Sequence, residues 1–308
     1  MRKIMSKKIS IAILLCALLS ALTVQSFAQS SKAIQKQAEA LVNSGKVAYE
    51  RKEYDKAIVD FSKAIQLDPQ NFDAYLMSAL VYSEKKDYDK AIINYSKAIE
   101  INPQFGGAYF LRAVAYMEKK DYDKVIVDYS KAIELNYERA KTYLLRGEAY
   151  KAKKDYDRAI TDYSKIIEIN PQDTAAYIAR GAIYSLKEDY DRAIIDFSKA
   201  VEINPRLSGP YYNRGNAYGE KRDFDRAIAD FSKVIEIEPQ SAPSYFYRGS
   251  AFAAKKQYDK AIADYSKAIE LDPKTAFIYK QRGAAYRAIG KNDLADADEK
   301  KAKELSDK

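Results

Sequence analysis

The sequence of 308 residues has no histidine, no tryptophan and a single cysteine, Cys16. Without histidine there is no imidazole acid–base chemistry, no Cys–His nucleophilic pair and no His-containing zinc or copper site; with one cysteine there is no intramolecular disulfide. Most enzyme classes thereby lose their usual tools. What remains is 47% hydrophobic and 31% charged, the composition of a globular, helix-friendly chain able to bury a sizeable core. No catalytic residue, cofactor site or metal site is expected. Asp293, Asp296, Asp298 and Glu299 cluster in sequence but lack the turn glycine of a calcium loop. Asn94-Tyr95-Ser96 is a formal glycosylation sequon inside an expected helix.

The one long apolar run is N-terminal. Arg2, Lys3, Lys7 and Lys8 precede Ile9 to Val24, followed by Gln25-Ser26-Phe27-Ala28. This order of basic, apolar and small-x-small segments reads as a secretory signal peptide at 1–28, cleaved after Ala28. The run is short for a spanning helix, which needs roughly 20 apolar residues; an uncleaved anchor is the second reading. Cys16 lies in mid-run after Leu15, against lipidation. Export to a periplasm or cell envelope, if the source is bacterial, would leave 48 basic against 44 acidic residues, a mild excess. Residues 29–37 would form a lead-in.

From about residue 38 to 307 one unit recurs. Ala57, Ala91, Val125, Ala159, Ala193, Ala227, Ala261 and Ala295 each sit in a near-copy of Tyr-Asp-Lys-Ala-Ile-x-Asp-Tyr-Ser-Lys-Ala-Ile-Glu, always 34 residues apart. Tyr75, Ser78, Ala79 and Tyr82, then Ala91, Ile92, Tyr95, Ala98 and Ile99, follow helical spacing, so each unit is a helix hairpin. Asn102-Pro103, Asn170-Pro171, Asn204-Pro205 and Asp272-Pro273 end second helices; Pro210 and Pro243 open first helices. The expected units are about 38–71, 72–105, 106–139, 140–173, 174–207, 208–241, 242–275 and a divergent polar cap at 276–307.

Tyr177-x-x-Arg180-Gly181-x-x-Tyr184, with Ala193-x-x-x-Phe197 and Pro205, resembles the tetratricopeptide repeat (TPR) signature. Tyrosine replaces the motif's Trp at Tyr75, Tyr109, Tyr143, Tyr177, Tyr211, Tyr245 and Tyr279, and Tyr137 replaces the turn Pro once. The resemblance implies an all-α fold, an α-α solenoid wound as a right-handed superhelix of about eight hairpins.

Of 27 tyrosines, all but Tyr49, Tyr137, Tyr212 and Tyr247 fall on four recurring ladders and are read as core. Gly147, Gly181, Gly215, Gly249 and Gly283, with Ala79 and Ala113, supply the gap where paired helices cross. Arg112, Arg146, Arg180, Arg214, Arg248 and Arg282 recur opposite Asp128, Asp162, Asp196, Asp230, Asp264 and Asp298, which suggests ion pairs within each unit. Ser78 and Asn94 replace both partners together in unit two, as pairing requires; Ser44 with Asp60 in unit one does not fit.

TPR proteins mostly bind peptides or helices on the concave face lined by first helices. The resemblance therefore places a partner-binding groove on Leu76, Met77, Leu80, Phe110, Leu111, Val114, Met117, Leu144 and Leu145 in units two to four, with Ile178, Tyr212, Asn213, Asn216, Phe246 and Tyr247 further on. The Lys, Asn and Arg set of carboxylate-clamp TPRs is mostly missing. The expectation is a non-catalytic scaffold gripping a protein segment, in envelope assembly or secretion. The alternatives are a polyanion or membrane-surface binder acting through the basic turns (Arg51-Lys52, Lys85-Lys86, Lys119-Lys120, Lys153-Lys154, Lys221-Arg222, Lys255-Lys256), and an accessory subunit of an enzyme complex. Nucleic acid is not an expected partner.

Overall fold

In the computed structural model, the described residues are 31–307; the expected signal peptide at 1–28, with Cys16, lies outside them. Sixteen helices and no strand occur among the described residues: α1 (31–50), α2 (Tyr54–Leu67), α3 (Phe72–Glu84), α4 (Tyr88–Ile101), α5 (Gly106–Glu118), α6 (Tyr122–Glu134), α7 (Arg139–Ala152), α8 (Tyr156–Ile169), α9 (Thr174–Leu186), α10 (Tyr190–Ile203), α11 (Ser208–Glu220), α12 (Phe224–Ile237), α13 (Ala242–Ala254), α14 (Tyr258–Leu271), α15 (Ala276–Ala288) and α16 (Asn292–Ser306). They form helix hairpins throughout. The chain divides into two compact units, one ending at Thr142 and one beginning at Tyr143.

The turn inside each hairpin explains where first helices stop. Lys52, Lys86, Lys120, Lys154, Glu188, Arg222 and Lys256 all have φ near 60°, and the last hairpin has Gly290 at 78°. In the second hairpin, Asp87 N–H donates to the Tyr82 carbonyl and Lys86 N–H to the Ser83 carbonyl, both at 2.9 Å. This is the paired closure of a helix ending in a left-handed residue, usually glycine. Second helices then start on a cap: the side chains of Asp87, Asp121, Asp155, Asp189 and Asp223 each accept the backbone N–H three residues on. Most stop at Asn or Asp before Pro, where Asn102, Asn170, Asn204 and Asp272 side chains accept the N–H two residues on; α12 stops at Glu238 before Pro239 and α6 at Leu135.

In the unit up to Thr142, Ala57, Phe61 and Ala64 of α2 form one core with Ala74 and Val81 of α3. Ala91 and Tyr95 of α4 form the next with Ala79 and with Ala115 of α5. In the unit from Tyr143, Ala227 and Phe231 of α12 pack with Tyr218 and with Ala251 of α13, and Ala261, Tyr265 and Ala268 of α14 with Ile278 and Ala285 of α15. Each core is thus completed by the following repeat. A repeat cannot bury its apolar face alone, so stacking is a condition of folding.

The crossing within each hairpin depends on a missing side chain. A Cβ at Gly181 would lie 2.8 Å from Phe197 Cε1, one at Gly147 2.8 Å from Tyr163 Cε1, and one at Gly45 2.5 Å from Phe61 Cε1. Gly45 holds in repeat one the place that Ala79 and Ala113 hold in the next two.

The Arg and Asp ladders pair within each hairpin. Arg180 Nε and Nη2 donate to both Asp196 carboxylate oxygens at 2.8 Å, while Nη1 donates at 2.9 Å to Ser164 of the preceding repeat. Arg112, Arg214, Arg248 and Arg282 repeat the same fork and the same reach to a serine. Asp196 is 2% exposed. Its bonds to Arg180 raise the arginine's pKa against the opposing effect of burial; at Asp162 burial wins and pushes the carboxyl up despite Arg146. Repeat one corrects the sequence reading: Ser44 Oγ donates to Asp60 at 2.7 Å, so a neutral donor occupies the arginine's place there. In repeat two, Asn94 Nδ2 donates to the Lys90 carbonyl.

Candidate functional site

The first-helix face differs sharply along the chain. Along the expected groove positions of repeats two and three it is largely filled. Leu76, Leu80 and Leu111 are half-buried against the Tyr95 core, and Met77 against the Phe61 core. Phe110 is 5% exposed, with its ring 5.4 Å from those of both Tyr129 and Tyr137, and the Lys141 ammonium covers it at 5.1 Å. Met117 is half-buried. Val114, 38% exposed, is the one member of this group that stands out into solvent. Leu144 and Leu145, which belong to the second unit, are half-buried.

In the unit from Tyr143 the same face is carved. One cavity of about 530 Å³ is lined by Lys151, Ala182, Ser185, Leu186, Phe197, Asn213, Asn216 and Glu220, among others. A second, about 200 Å³, shares Asn216 and Glu220 and adds Gly215, Gly219, Phe231 and Tyr247. A third, about 300 Å³, shares Tyr247 and adds Tyr212, Pro243, Phe246 and Phe277. The three follow one another along α9, α11, α13 and α15. Ile178 of α9 is half-buried.

Side-chain size explains the difference. The position held by Leu80 and Val114 in repeats two and three is Ala182, Asn216 and Ser250 in repeats five to seven. The position of Ser83, Met117 and Lys151 is Gly219 in repeat six, where an added Cβ would meet nothing within 4 Å. The second-helix ring matters as well. Three of the tyrosines there tie down a first-helix side chain through the hydroxyl: Tyr163 donates to Glu148 at 2.6 Å, Tyr265 to Ser250 at 3.2 Å, and Tyr95 shares a hydrogen bond with Ser83 at 3.4 Å. Burial pushes the Tyr95 phenol up to about 12, so these hydroxyls stay protonated. Repeats five and six have Phe197 and Phe231 instead, and the first two cavities open over those rings.

The basic turns have structural work on both residues. The second residue of the pair takes the left-handed conformation. The first bridges to the preceding repeat: Lys85 to Asp55, Lys119 to Asp89, Lys187 to Asp157, Lys221 to Asp191 and Lys255 to Asp225. The charge of Lys85, Lys119, Lys221 and Lys255 on this edge is therefore paired within the array. In the terminal acidic cluster, Asp298 is held by Arg282, and Asp296 and Glu299 by Arg287. No helix among the described residues is long and apolar enough to cross a membrane.

Hairpins of this length, interlocked through shared cores and carrying a continuous carved face, define a helical-repeat scaffold for protein–protein interaction, a class typically without catalytic activity. Family models agree. The "TPR repeat" model matches residues 45–86, 79–120 and 249–290, and the "Tetratricopeptide repeat" model matches 107–136, 140–173, 174–207 and 210–241. The chain belongs to the tetratricopeptide repeat family. No curated protein matches the sequence closely enough to count as a relative.

Among solved structures it is similar to the protein MamA, at 27% identity over 55% of this chain and 93% of that one, with a TM-score of 0.53. It shares its fold with the C-terminal part of a TPR repeat-containing protein from Cytophaga hutchinsonii (22% identity, 74% and 91% covered, TM-score 0.60). It also shares it with YrrB, described as a TPR protein with an unusual peptide-binding site (24%, 64% and 97% covered, TM-score 0.53).

Proposed function

We propose that this protein is a non-catalytic scaffold that holds a peptide or helical segment of a partner on the first-helix face of α9, α11, α13 and α15. The observation that carries the reading is the run of three cavities sharing lining residues, set beside the filled face of repeats two and three. Concave sites of this size with a few polar groups among apolar walls are where ligands bind; Asn213, Asn216 and Glu220 supply those groups here. The sequence reading centred the groove on repeats two to four; the packing of those side chains shifts the weight of the proposal to repeats five to seven.

Crosslinking capture from cell-envelope extract tests it. Ala182→Arg with Gly219→Arg fills the carved face at positions with room, and Val114→Asp with Met117→Asp alters the early face. Capture of one protein by the wild type and the early-face variant, and its loss from the late-face variant, is the expected result. The reverse pattern would return the site to repeats two to four. Capture that survives both but collapses in high salt would indicate the basic turns instead.

Export belongs to the same proposal. Its support is the basic, apolar and small-x-small order of residues 2–28, and a role in envelope assembly or secretion follows from it. The mass of the protein isolated from its own cells decides: a chain beginning at Gln29 is expected, and an intact Met1 or an unprocessed apolar run in the membrane fraction contradicts cleavage.

A further inference from the structure

The rings of this chain are habitually covered by its own cations. Lys90, Lys124, Arg158, Arg192 and Arg226 lie over Tyr82, Tyr116, Tyr150, Tyr184 and Tyr218 at 4.5 to 5.3 Å from the centroids. One cluster departs from the habit. Tyr212, Tyr247, Phe246 and Phe277 pack edge to face or tilted at 5.2 to 5.7 Å, and no cation of the described residues lies over any of them. Tyr247, one face of which stacks on Phe231 at 5.8 Å, is 40% and Phe277 54% exposed, so both rings reach solvent.

These four rings line the cavity of about 300 Å³ together with Pro243 and Asp272. Asp272 accepts from Lys274 N–H at 3.2 Å and from Thr275 Oγ1 at 2.5 Å, but its charge has no ion-pair partner among the described residues. Lys274 and Lys280, though close in sequence, do not line the cavity. The site is therefore a set of π faces beside an unpaired carboxylate.

The repeat offers internal comparisons for such a site. Six repeats earlier, Val42, Asn43, Asp68 and Asp73 stand where Phe246, Tyr247, Asp272 and Phe277 stand here; they too line a cavity, of about 500 Å³. That cavity holds an ammonium of the chain itself, Lys46, which donates to Asp73 at 2.7 Å. Four repeats earlier, Phe110 and Lys141 occupy the places of Phe246 and Phe277, and the Lys141 ammonium lies on the Phe110 ring at 5.1 Å. In repeats seven and eight the lysine is replaced by Phe277 and none takes its part.

We propose that the pocket between α13 and α15 seats an alkylammonium or guanidinium group, the side chain of a lysine or arginine in the partner segment. The ring quadrupoles attract the cation and Asp272 neutralises it. The inference rests on the proposed binding face and names what one end of it recognises. The partner is accordingly a segment carrying a basic residue.

Titration calorimetry of the full chain with acetyl-Gly-Gly-Xaa-Gly-Gly-amide tests this, with Xaa as Lys, Arg, norleucine or Glu. Lys and Arg probes should bind at millimolar concentration and about tenfold more tightly than norleucine, with Glu excluded. Tyr247→Leu and Phe277→Leu, at exposed positions where apolar bulk is retained, should weaken them about tenfold; Asp272→Asn should weaken them about fivefold and remove most of the salt dependence. A norleucine probe that binds as tightly as lysine, affinities indifferent to all three variants, or no binding by the Lys and Arg probes overturns the assignment. If envelope capture depends on the carved face while these titrations fail, the face binds its partner without this pocket; if the titrations succeed and capture does not depend on the face, the pocket stands and the larger reading falls.

Discussion

Repeats two and three and repeats five to seven follow one 34-residue plan, yet they spend their first-helix faces differently. In the earlier pair, Leu76, Leu80, Phe110 and Leu111 pack against neighbouring cores, and Val114 alone of the expected groove residues there stands out into solvent. In the later three, smaller residues at the position of Leu80 (Ala182, Asn216 and Ser250), Gly219, and phenylalanine in place of tyrosine at Phe197 and Phe231 leave cavities. Polar clamps add to the apolar packing from repeat three onward, Arg112–Asp128 forming there the same fork as Arg180–Asp196 in repeat five. Repeat two has Ser78 and Asn94 where repeat five has the Arg180–Asp196 fork. A repeat protein needs only nearest-neighbour contacts to hold its shape, so a face freed from packing duty in some repeats is available for a partner.

Breaking a clamp is the strongest way to test that contrast. Arg180→Met removes a largely buried bidentate partner and leaves Asp196, already 2% exposed, as an uncompensated charge. A loss of about 3–5 kcal/mol is expected from the cost of orphaning one side of a buried pair, together with the tie to Ser164 of the preceding repeat. Denaturant unfolding measures it. The double variant Arg180→Met with Asp196→Leu should recover much of the loss, because the buried charge is gone; a single variant that unfolds like the wild type would show that the fork contributes nothing and that the later repeats depend on the same apolar packing as the earlier ones.

A smaller effect separates the two kinds of glycine on these helices. Gly181→Leu drives a side chain into Phe197 and should cost on the order of 1–3 kcal/mol by overpacking. Gly219→Ala, on the carved face with nothing within 4 Å of its new Cβ, should stabilise by up to about 1 kcal/mol, the helix-propensity difference. If both variants lose stability alike, Gly219 is a packing residue and the second cavity is not open as described.

The repeat, the hairpin and the Arg–Asp ladders were legible in the sequence because each is written eight or six times at one spacing. The clamp's serine was not, since Ser96, Ser164 and their equivalents sit in the preceding repeat and the contact runs between copies. Nor was Ser44 opposite Asp60, because a serine at an arginine position reads as a break in pairing until the short hydrogen bond is seen. The groove was legible only as a list of positions. Which of them point inward depends on the volumes of their neighbours: Phe110 looks like a surface aromatic until Tyr129 and Tyr137 close over it. Gly219, Ala182 and Phe197 were the available signal, three departures toward smaller or less polar side chains within two repeats. Hydrophobicity hides that signal, because cavities are made by what is missing.

The gentlest test concerns the caps that start the second helices, where five repeats share one device and three, opening on Glu53, Gln257 and Lys291, depart from it. Asp87, Asp121, Asp155, Asp189 and Asp223 cap their helices, and each carboxyl is held below its ordinary value, first by the side-chain hydrogen bond to Lys90, Lys124, Arg158, Arg192 or Arg226. Gln257 opens α14 without a side-chain cap, although Lys260 stands three residues on as in the capped helices. Gln257→Asp should therefore raise the melting temperature of the array by about 1–3 °C at neutral pH. The sign with pH follows from the lowered pKa: the gain is fully present above the unfolded carboxyl value of about 3.8 and is lost as pH falls through the lower folded value. A gain that persists at pH 2 would come from something other than the charged cap. A gain absent at every pH would mean that α14 is already held by the core it shares with Ile278 and Ala285 and has no fraying first turn for a cap to secure.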